Sequence, residues 1–291
     1  MPQTLNWIRW RWLALALLSI AALGGCVSLD TQQRKWIFQA RTTPEAIDGR
    51  SAGLTDIWIP ITDADADAAG AAAPNAPRLH ALWIDGPTAG APLLLYLHGA
   101  RRDVDQSAFR IHQMQALGFA VLAIDYRGFG RSSEELPSET SVDEDARAAW
   151  AWLATQHPGR ERYLFGHSLG GAIAVRLASE VTDAKGLIVE GTFTSIPDVF
   201  QTMKWGWLPV APLITQRFDS ATRIANVKVP VLVVHGEEDT LILPELGRAL
   251  YERAPQPKRF ILVPGGTHYS TNSRGQAQYR EAVRTLFGIG A

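Results

Sequence analysis

Gly166-His167-Ser168-Leu169-Gly170 sets one serine between two glycines, with one residue on either side, where an apolar strand-like run gives way to a helix-like one. In that setting the spacing predicts a sharp turn with positive φ at Ser168, which exposes its hydroxyl at the tip, and glycines where a Cβ would strike the adjacent chain. A free hydroxyl is a weak nucleophile near neutral pH, so it needs a base, and the base needs a group that holds its tautomer and balances its charge. His268, in Gly265-Gly266-Thr267-His268, and Asp239, in His235-Gly236-Glu237-Glu238-Asp239, follow the serine in the order Ser, Asp, His. That order serves attack at an acyl carbon. Glu190, at the end of another apolar run, is the rival acid, and Glu238 is expected to point away from its neighbour Asp239.

The negative charge that develops on the acyl oxygen needs donors. The backbone N–H of Leu169, at the start of the predicted helix Leu169–Glu180, is one candidate; that of Ala100, just after the run 93–97, is the other. His98, His167 and His235 flank glycine turns and read as loop-ordering residues. The seven histidines show no H-E-x-x-H or comparable spacing, so no metal is expected, and nothing implies a cofactor. Asp125 to Gly130 lacks the order of a phosphate loop and reads as a structural turn.

These residues must be held by a sheet. Short apolar runs at 93–97, 119–124, 161–166, 186–190, 229–234 and 258–263 alternate with amphipathic stretches of helical length, a pattern of parallel strands with helices on both faces. Two earlier runs, Leu54 to Ile61 and Arg78 to Asp85, are expected as antiparallel edge strands, giving an α/β fold of about eight strands. Sites in such sheets form beyond the carboxyl ends of the strands. Ala100, Ser168, Asp239 and His268 all follow apolar runs there.

With the motifs set side by side, a resemblance emerges. His98-Gly99, Asp125-Tyr126-Arg127-Gly128-Phe129-Gly130-Arg131-Ser132, Gly166-His167-Ser168-Leu169-Gly170-Gly171, His235-Gly236-Glu237-Glu238-Asp239 and Gly266-Thr267-His268 look like the serine aminopeptidase-like branch of the α/β-hydrolases. Within it the chain is similar to short-capped hydrolases related to membrane-associated depalmitoylating enzymes, down to Phe193-Thr194-Ser195 and Arg217-Phe218-Asp219-Ser220. The resemblance implies an α/β-hydrolase fold and hydrolysis of an ester or thioester. It departs at His98-Gly99-Ala100-Arg101-Arg102-Asp103, where many relatives carry His-Gly-Asn.

The segment 193–226 falls where this fold inserts a cap. Its Phe200, Met203, Trp205, Trp207, Leu208, Val210, Leu213 and Ile214 suit either an apolar wall for an acyl chain or a simple cover for the sheet. So small a cap suggests an open site.

The N-terminus is of another kind. Arg9 and Arg11 precede an apolar run from Leu13 to Leu23, broken only by Ser19, which would form a helix of roughly 17–21 Å, short of a ~30 Å hydrocarbon core. It reads as a secretory signal over residues 1–25. Leu23-Gly24-Gly25-Cys26 resembles the bacterial lipobox, implying a diacylglycerol on Cys26, the sole cysteine, and an envelope lipoprotein. Val27 after the cysteine suggests sorting to the outer membrane, facing the periplasm. An ordinary cleaved signal peptide is one alternative, and a permanent span in which Trp7 to Trp12 extend the apolar run is another.

Residues 26–50 are expected to be a polar tether with at most a short helix, and 51–291 the catalytic domain. The tract Asp63 to Pro74 is low-complexity Ala/Asp and reads as an exposed hairpin loop. Lysine and arginine number 28 against 29 aspartate and glutamate, so no basic excess favours nucleic acid, and a small-molecule or acylated substrate fits better. Two other functions remain open: a peptidase or amidase on the same triad, which should carry a carboxylate for a substrate amine, and a catalytically silent binding lipoprotein.

Overall fold

A computed structural model describes residues 27–41, 53–61 and 76–290. The leader 1–25, Cys26 and the Ala/Asp tract lie outside the described residues. One eight-stranded sheet organises the rest, from β1 (Thr55–Pro60), β2 (Arg78–Ile84), β3 (Leu93–Leu97) and β4 (Ala120–Ile124) to β5 (Arg162–His167), β6 (Ala184–Glu190), β7 (Val231–Gly236) and β8 (Lys258–Val263). Their spatial order is β1-β2-β4-β3-β5-β6-β7-β8. β1 and β2 are antiparallel at one edge and every other pairing but β2 with β4 is parallel.

The apolar runs predict the strands because a sheet covered on both faces leaves no polar side to a strand. In β3 all five side chains are buried. Leu93, Leu95 and Leu97 enter one core layer, and Leu94 and Tyr96 the other, as the two-residue period requires. Helices α3 (Glu139–Gln156), α4 (Leu169–Glu180), α6 (Ser220–Ile224) and α7 (Pro244–Arg253) pack on the first layer. α2 (Ala108–Gln115) and α9 (Gln276–Phe287) pack on the second, beside α8 (Thr271–Arg274). α5 (Ile196–Gln201) and α6 lie in the connection from β6 to β7 where the cap was expected.

The short helix allowed for in the tether spans residues 27–38, α1, and it packs on the domain. Phe38 is buried against Phe129 and Phe218, with ring centroids 6.4 and 5.8 Å away. Arg34 donates to the carbonyl of Pro137 at 2.8 Å, and Asp30 accepts from Thr215 Oγ1 at 2.7 Å. Leu29, Gln33, Trp36 and Ile37 share one helix face, since residues four apart stack on adjacent turns. The face escaped notice because Gln33 sits at its centre; its amide is satisfied by the Leu213 carbonyl and the Thr215 N–H, at 2.7 and 2.9 Å.

A buried polar seam joins the edge strands to the loops over the sheet. His80 on β2 places Nδ1 2.9 Å from Asp125 Oδ2 and Nε2 2.9 Å from Asp56 Oδ1. The other Asp125 oxygen accepts the Val104 N–H at 2.9 Å, and its carbonyl accepts from Ser132 Oγ at 2.6 Å. Burial works to lower the His80 pKa, but the bonds to Asp125 and Asp56 outweigh it and raise it above 6.5. A group raised in the folded state contributes fully below its unfolded pKa and loses that contribution as pH rises through the folded one. Replacing His80 by leucine leaves Asp125 buried with one oxygen unpaired, and should cost about 3–5 kcal/mol near pH 6. Urea unfolding at pH 6 and again at pH 9 should show a smaller loss at the higher pH; equal losses would mean that His80 does not change charge between them.

Candidate active site

Ser168 adopts φ 56° and ψ −122° between β5 and α4, a conformation an L-residue holds only when its neighbours leave no alternative. Its N–H donates to the Glu190 carbonyl at 2.9 Å. Its own carbonyl accepts from the Gly171 N–H and from Thr192 Oγ1, both at 2.9 Å. The flanking glycines are sterically required: a Cβ on Gly166 would lie 2.2 Å from the Gly170 carbonyl oxygen, and one on Gly170 2.1 Å from that of Leu97.

His268 reaches the same region from the loop after β8. Its Nδ1 lies 2.7 Å from Asp239 Oδ2, both side chains being buried. Nδ1 therefore carries a proton toward the carboxylate, which leaves the Nε2 lone pair for chemistry. The other Asp239 oxygen accepts the N–H groups of Leu241 and Ile242 at 3.0 and 2.9 Å. His235 Nε2 stands 3.4 Å from Asp239 Oδ2 and donates to the Ile242 carbonyl at 2.9 Å. Burial alone would raise the Asp239 pKa, but the bonds from His235, His268 and Ile242 hold it far below the usual carboxylate range. Asp239 stays ionised.

Glu190, the rival acid, is committed elsewhere. Its carboxylate takes Arg110 Nε at 3.1 Å, Asn272 Nδ2 at 3.1 Å and the Tyr279 hydroxyl. His167 bridges this layer to His268: its Nε2 donates to the His268 carbonyl at 3.0 Å. Burial and the nearby Arg110 charge push the His167 pKa well below 6.5, so the ring is neutral. Sequence reasoning placed His167 and His235 as loop-ordering residues, and both order the loops of the Asp239–His268 pair. The roles of Arg110, Asn272 and Tyr279 were missed, since three helical residues scattered through the chain carry no spacing signal.

The loop after β3 completes the site. Arg101, at φ 72°, donates its N–H to the Phe38 carbonyl of α1 at 3.0 Å. Ala100 and Leu169 both line the cavity that contains Ser168 and His268. That cavity holds about 540 Å³, enough for a small ligand or an acyl chain. Its walls are apolar: Leu29, Trp36 and Ile37 from α1, and Phe193, Phe200, Met203, Val210, Leu213 and Ile214 from the cap segment. Trp205 and Trp207 stay outside and exposed. Thus part of the cap is wall and part is not. Among the described residues, the charged ones lining the cavity are Arg101, Arg102 and Arg110, and no aspartate or glutamate lines it. Among the described residues, no group of three or more histidine, cysteine or carboxylate side chains converges as metal ligands do.

Known proteins share this architecture. The family described as serine aminopeptidase S33 matches residues 91–220 and 210–274. An uncharacterized protein of Mycobacterium tuberculosis is 33% identical over 260 residues, covering 87% of this chain and 86% of that protein. The lysophosphatidylserine lipase ABHD12 of Danio rerio is 32% identical over 185 residues, covering 57% of this chain and 48% of the lipase, so the likeness spans about half of that relative. Among solved structures, an esterase of Pyrococcus furiosus has a TM-score of 0.63 at 20% identity over 86% of this chain and 98% of that one. The strand order, the serine elbow and the matched residues together establish that this chain belongs to the serine aminopeptidase S33 family of α/β-hydrolases and is an enzyme of serine hydrolase character.

Proposed function

We propose that the chain hydrolyses a carboxylic ester or thioester with an apolar acyl group, with Ser168 as nucleophile, His268 as base and Asp239 as the acid that orients it. The observation that carries this reading is the placement of a strained, positive-φ Ser168 and an Asp239-bonded His268 in one apolar cavity. The lipase and esterase named among the similar proteins support the ester class.

Ser168 Oγ attacks the acyl carbon while His268 Nε2 takes its proton, and the carbonyl π pair moves onto oxygen. The backbone N–H groups of Ala100 and Leu169 stabilise that oxyanion, the second aided by the positive end of α4. Collapse expels the alcohol or thiol, which receives the proton from His268 and leaves an acyl ester on Ser168. Water then gives a proton to His268 and its oxygen to the acyl carbon. A second collapse releases the acid and returns the proton to Ser168. Asp239 remains a carboxylate throughout and stabilises the imidazolium.

A peptidase acting on a free amino terminus would need a carboxylate beside the reacting carbon to hold the amine. Among the described residues the cavity instead presents three arginines and no acid, which favours the ester reading. A silent binding protein would have no use for the strain at Ser168 or for a buried, oriented histidine.

Ser168→Ala should abolish labelling by a fluorophosphonate and lower turnover of p-nitrophenyl esters on the order of 10⁴-fold or more, with the circular dichroism spectrum and melting temperature unchanged. Labelling that persists in this variant would remove Ser168 from the mechanism. Asp239→Asn should lower kcat by about 10⁴-fold, since the amide favours the wrong imidazole tautomer. Glu190→Gln should act chiefly on stability, lowering the melting temperature and changing kcat far less. The reverse ranking in steady-state assays of the two purified variants would transfer the acid's role to Glu190.

A further inference from the structure

Six apolar or aromatic side chains line the cavity and are also exposed, so they form its mouth: Leu29 and Trp36 on α1, Met203 and Leu213 in the cap, Leu241 after β7, and Tyr269 after the base. Trp205 and Trp207 do not line the cavity but follow Met203 in the cap segment by two and four residues, at 57% and 74% exposure. Exposed apolar and aromatic side chains concentrated on the cap and α1 beside one opening mark a contact surface. Tryptophan in particular favours the boundary between headgroups and hydrocarbon.

Charge and connectivity decide what the surface meets. Arg101 and Arg102 line the mouth, with the Arg102 guanidinium 4.4 Å over the Tyr269 ring. Lys204 lies between Met203 and Trp205, its Nζ 5.7 Å from the Trp205 ring centre. Among the described residues, no carboxylate lines the cavity to offset them. A second copy of the same face would set these cations against themselves, because a two-fold contact repeats one patch on both sides; an anionic lipid surface would attract them.

The chain also enters the fold at this rim. Residues 1–26, with Arg9, Arg11 and the apolar run Leu13 to Leu23, join α1 at Val27. Val27 stands two residues, or about 3 Å of helical rise, from Leu29 at the mouth. Any membrane attachment made through residues 1–26, by a lipid or by the apolar run itself, is therefore delivered to the edge of the opening.

We propose that the mouth of the cavity docks on an anionic bilayer, with Trp36, Trp205 and Trp207 in the headgroup layer, so that acyl esters pass from the leaflet to Ser168 without crossing water. The docking stands apart from the ester-hydrolase reading; only the identity of the cargo rests on it.

The test uses the full chain and its Trp205→Ser/Trp207→Ser variant, bound to vesicles of phosphatidylcholine and phosphatidylglycerol whose acyl chains are brominated or not. Both proteins keep the N-terminal segment and its tryptophans, so the difference between them reports the rim alone. The emission lost in the variant should be strongly quenched by bromine in the wild type. Hydrolysis of vesicle-borne p-nitrophenyl palmitate should fall on the order of tenfold in the variant, while hydrolysis of dissolved p-nitrophenyl acetate stays unchanged. Emission from the two tryptophans that bromine leaves untouched overturns the proposal, and so does a vesicle-borne rate that the substitutions do not change. A dimer of the full chain that the substitutions dissolve would show that the face covers a second copy, and also overturns it. Should the wild type hydrolyse neither ester, the ester-hydrolase reading falls, while the quenching still decides the docking.

Discussion

The backbone of Ser168 stays at φ 56° because three hydrogen bonds hold it from different directions while glycines at 166 and 170 let the neighbouring backbone approach where a Cβ would collide. Such a conformation costs on the order of 1–3 kcal/mol and relaxes wherever the surroundings allow. Here β3 and β6 flank β5 on its two sides; the Glu190 carbonyl at the end of β6 accepts the Ser168 N–H, and the Leu97 carbonyl at the end of β3 lies where a side chain on Gly170 would have to go. The central strands are therefore more than a scaffold. Their register, Leu97 beside Gly166 and Glu190 beside His167, fixes where the turn can go, and two apolar layers fix the register.

Beneath Ser168 the charges form an ordered stack. The Glu190 backbone holds Ser168, while its side chain joins Arg110 of α2, Asn272 of α8 and Tyr279 of α9. Burial disfavours a charge on Arg110, yet Glu190 beside it prevails and raises the guanidinium pKa. The positive charge on Arg110 in turn helps to keep His167 neutral, and neutrality at the bonded Nε2–H leaves one polarity for its contact with the His268 carbonyl. A buried ion pair contributes little net stability against an apolar replacement. Its effect here is geometric, because it joins the helices of one face of the sheet to the two loops that meet at the cavity.

Much of this was legible before any coordinates. The apolar runs located all eight strands, and residues at the carboxyl ends of those runs, Ser168, Asp239 and His268, lie together as the crevice rule for open sheets implies. Boundaries moved for local reasons. Val229 and Pro230 read as strand, yet β7 begins at Val231, since proline has no N–H for the ladder and its carbonyl instead accepts from Leu187 at 3.0 Å. β6 begins at Ala184 rather than 186, and its pairing with β5 shifts register between Arg162 and Tyr163. In the cap, helical spacing left lining and covering indistinguishable, and only tertiary placement separated Phe200 and Val210 from Trp205 and Trp207. α1 carried little signal because a polar residue, Gln33, sits at the centre of its packing face and its partners, from Phe129 and Pro137 to Thr215 and Phe218, lie far along the chain.

Helix α1 is the part whose consequences reach furthest. Twelve residues make a helix that is marginal alone in water, so its structure derives from what it touches. It touches the two loops that define the cavity. Gln33 holds the cap segment at Leu213 and Thr215, and the Phe38 carbonyl holds the N–H of Arg101, one residue beyond Ala100. The cap segment and the loop after β3 are thus joined through one helix as well as through the sheet, and the same helix supplies Leu29, Trp36 and Ile37 as a cavity wall. A displacement of α1 would widen the cavity and loosen the peptide beside Ala100 together. The cavity wall and that peptide therefore share a support that belongs to neither the cap nor the sheet. In the proposed mechanism, where Ala100 is an oxyanion donor, a substrate that packs against α1 would favour the arrangement in which Ala100 is held for the reaction.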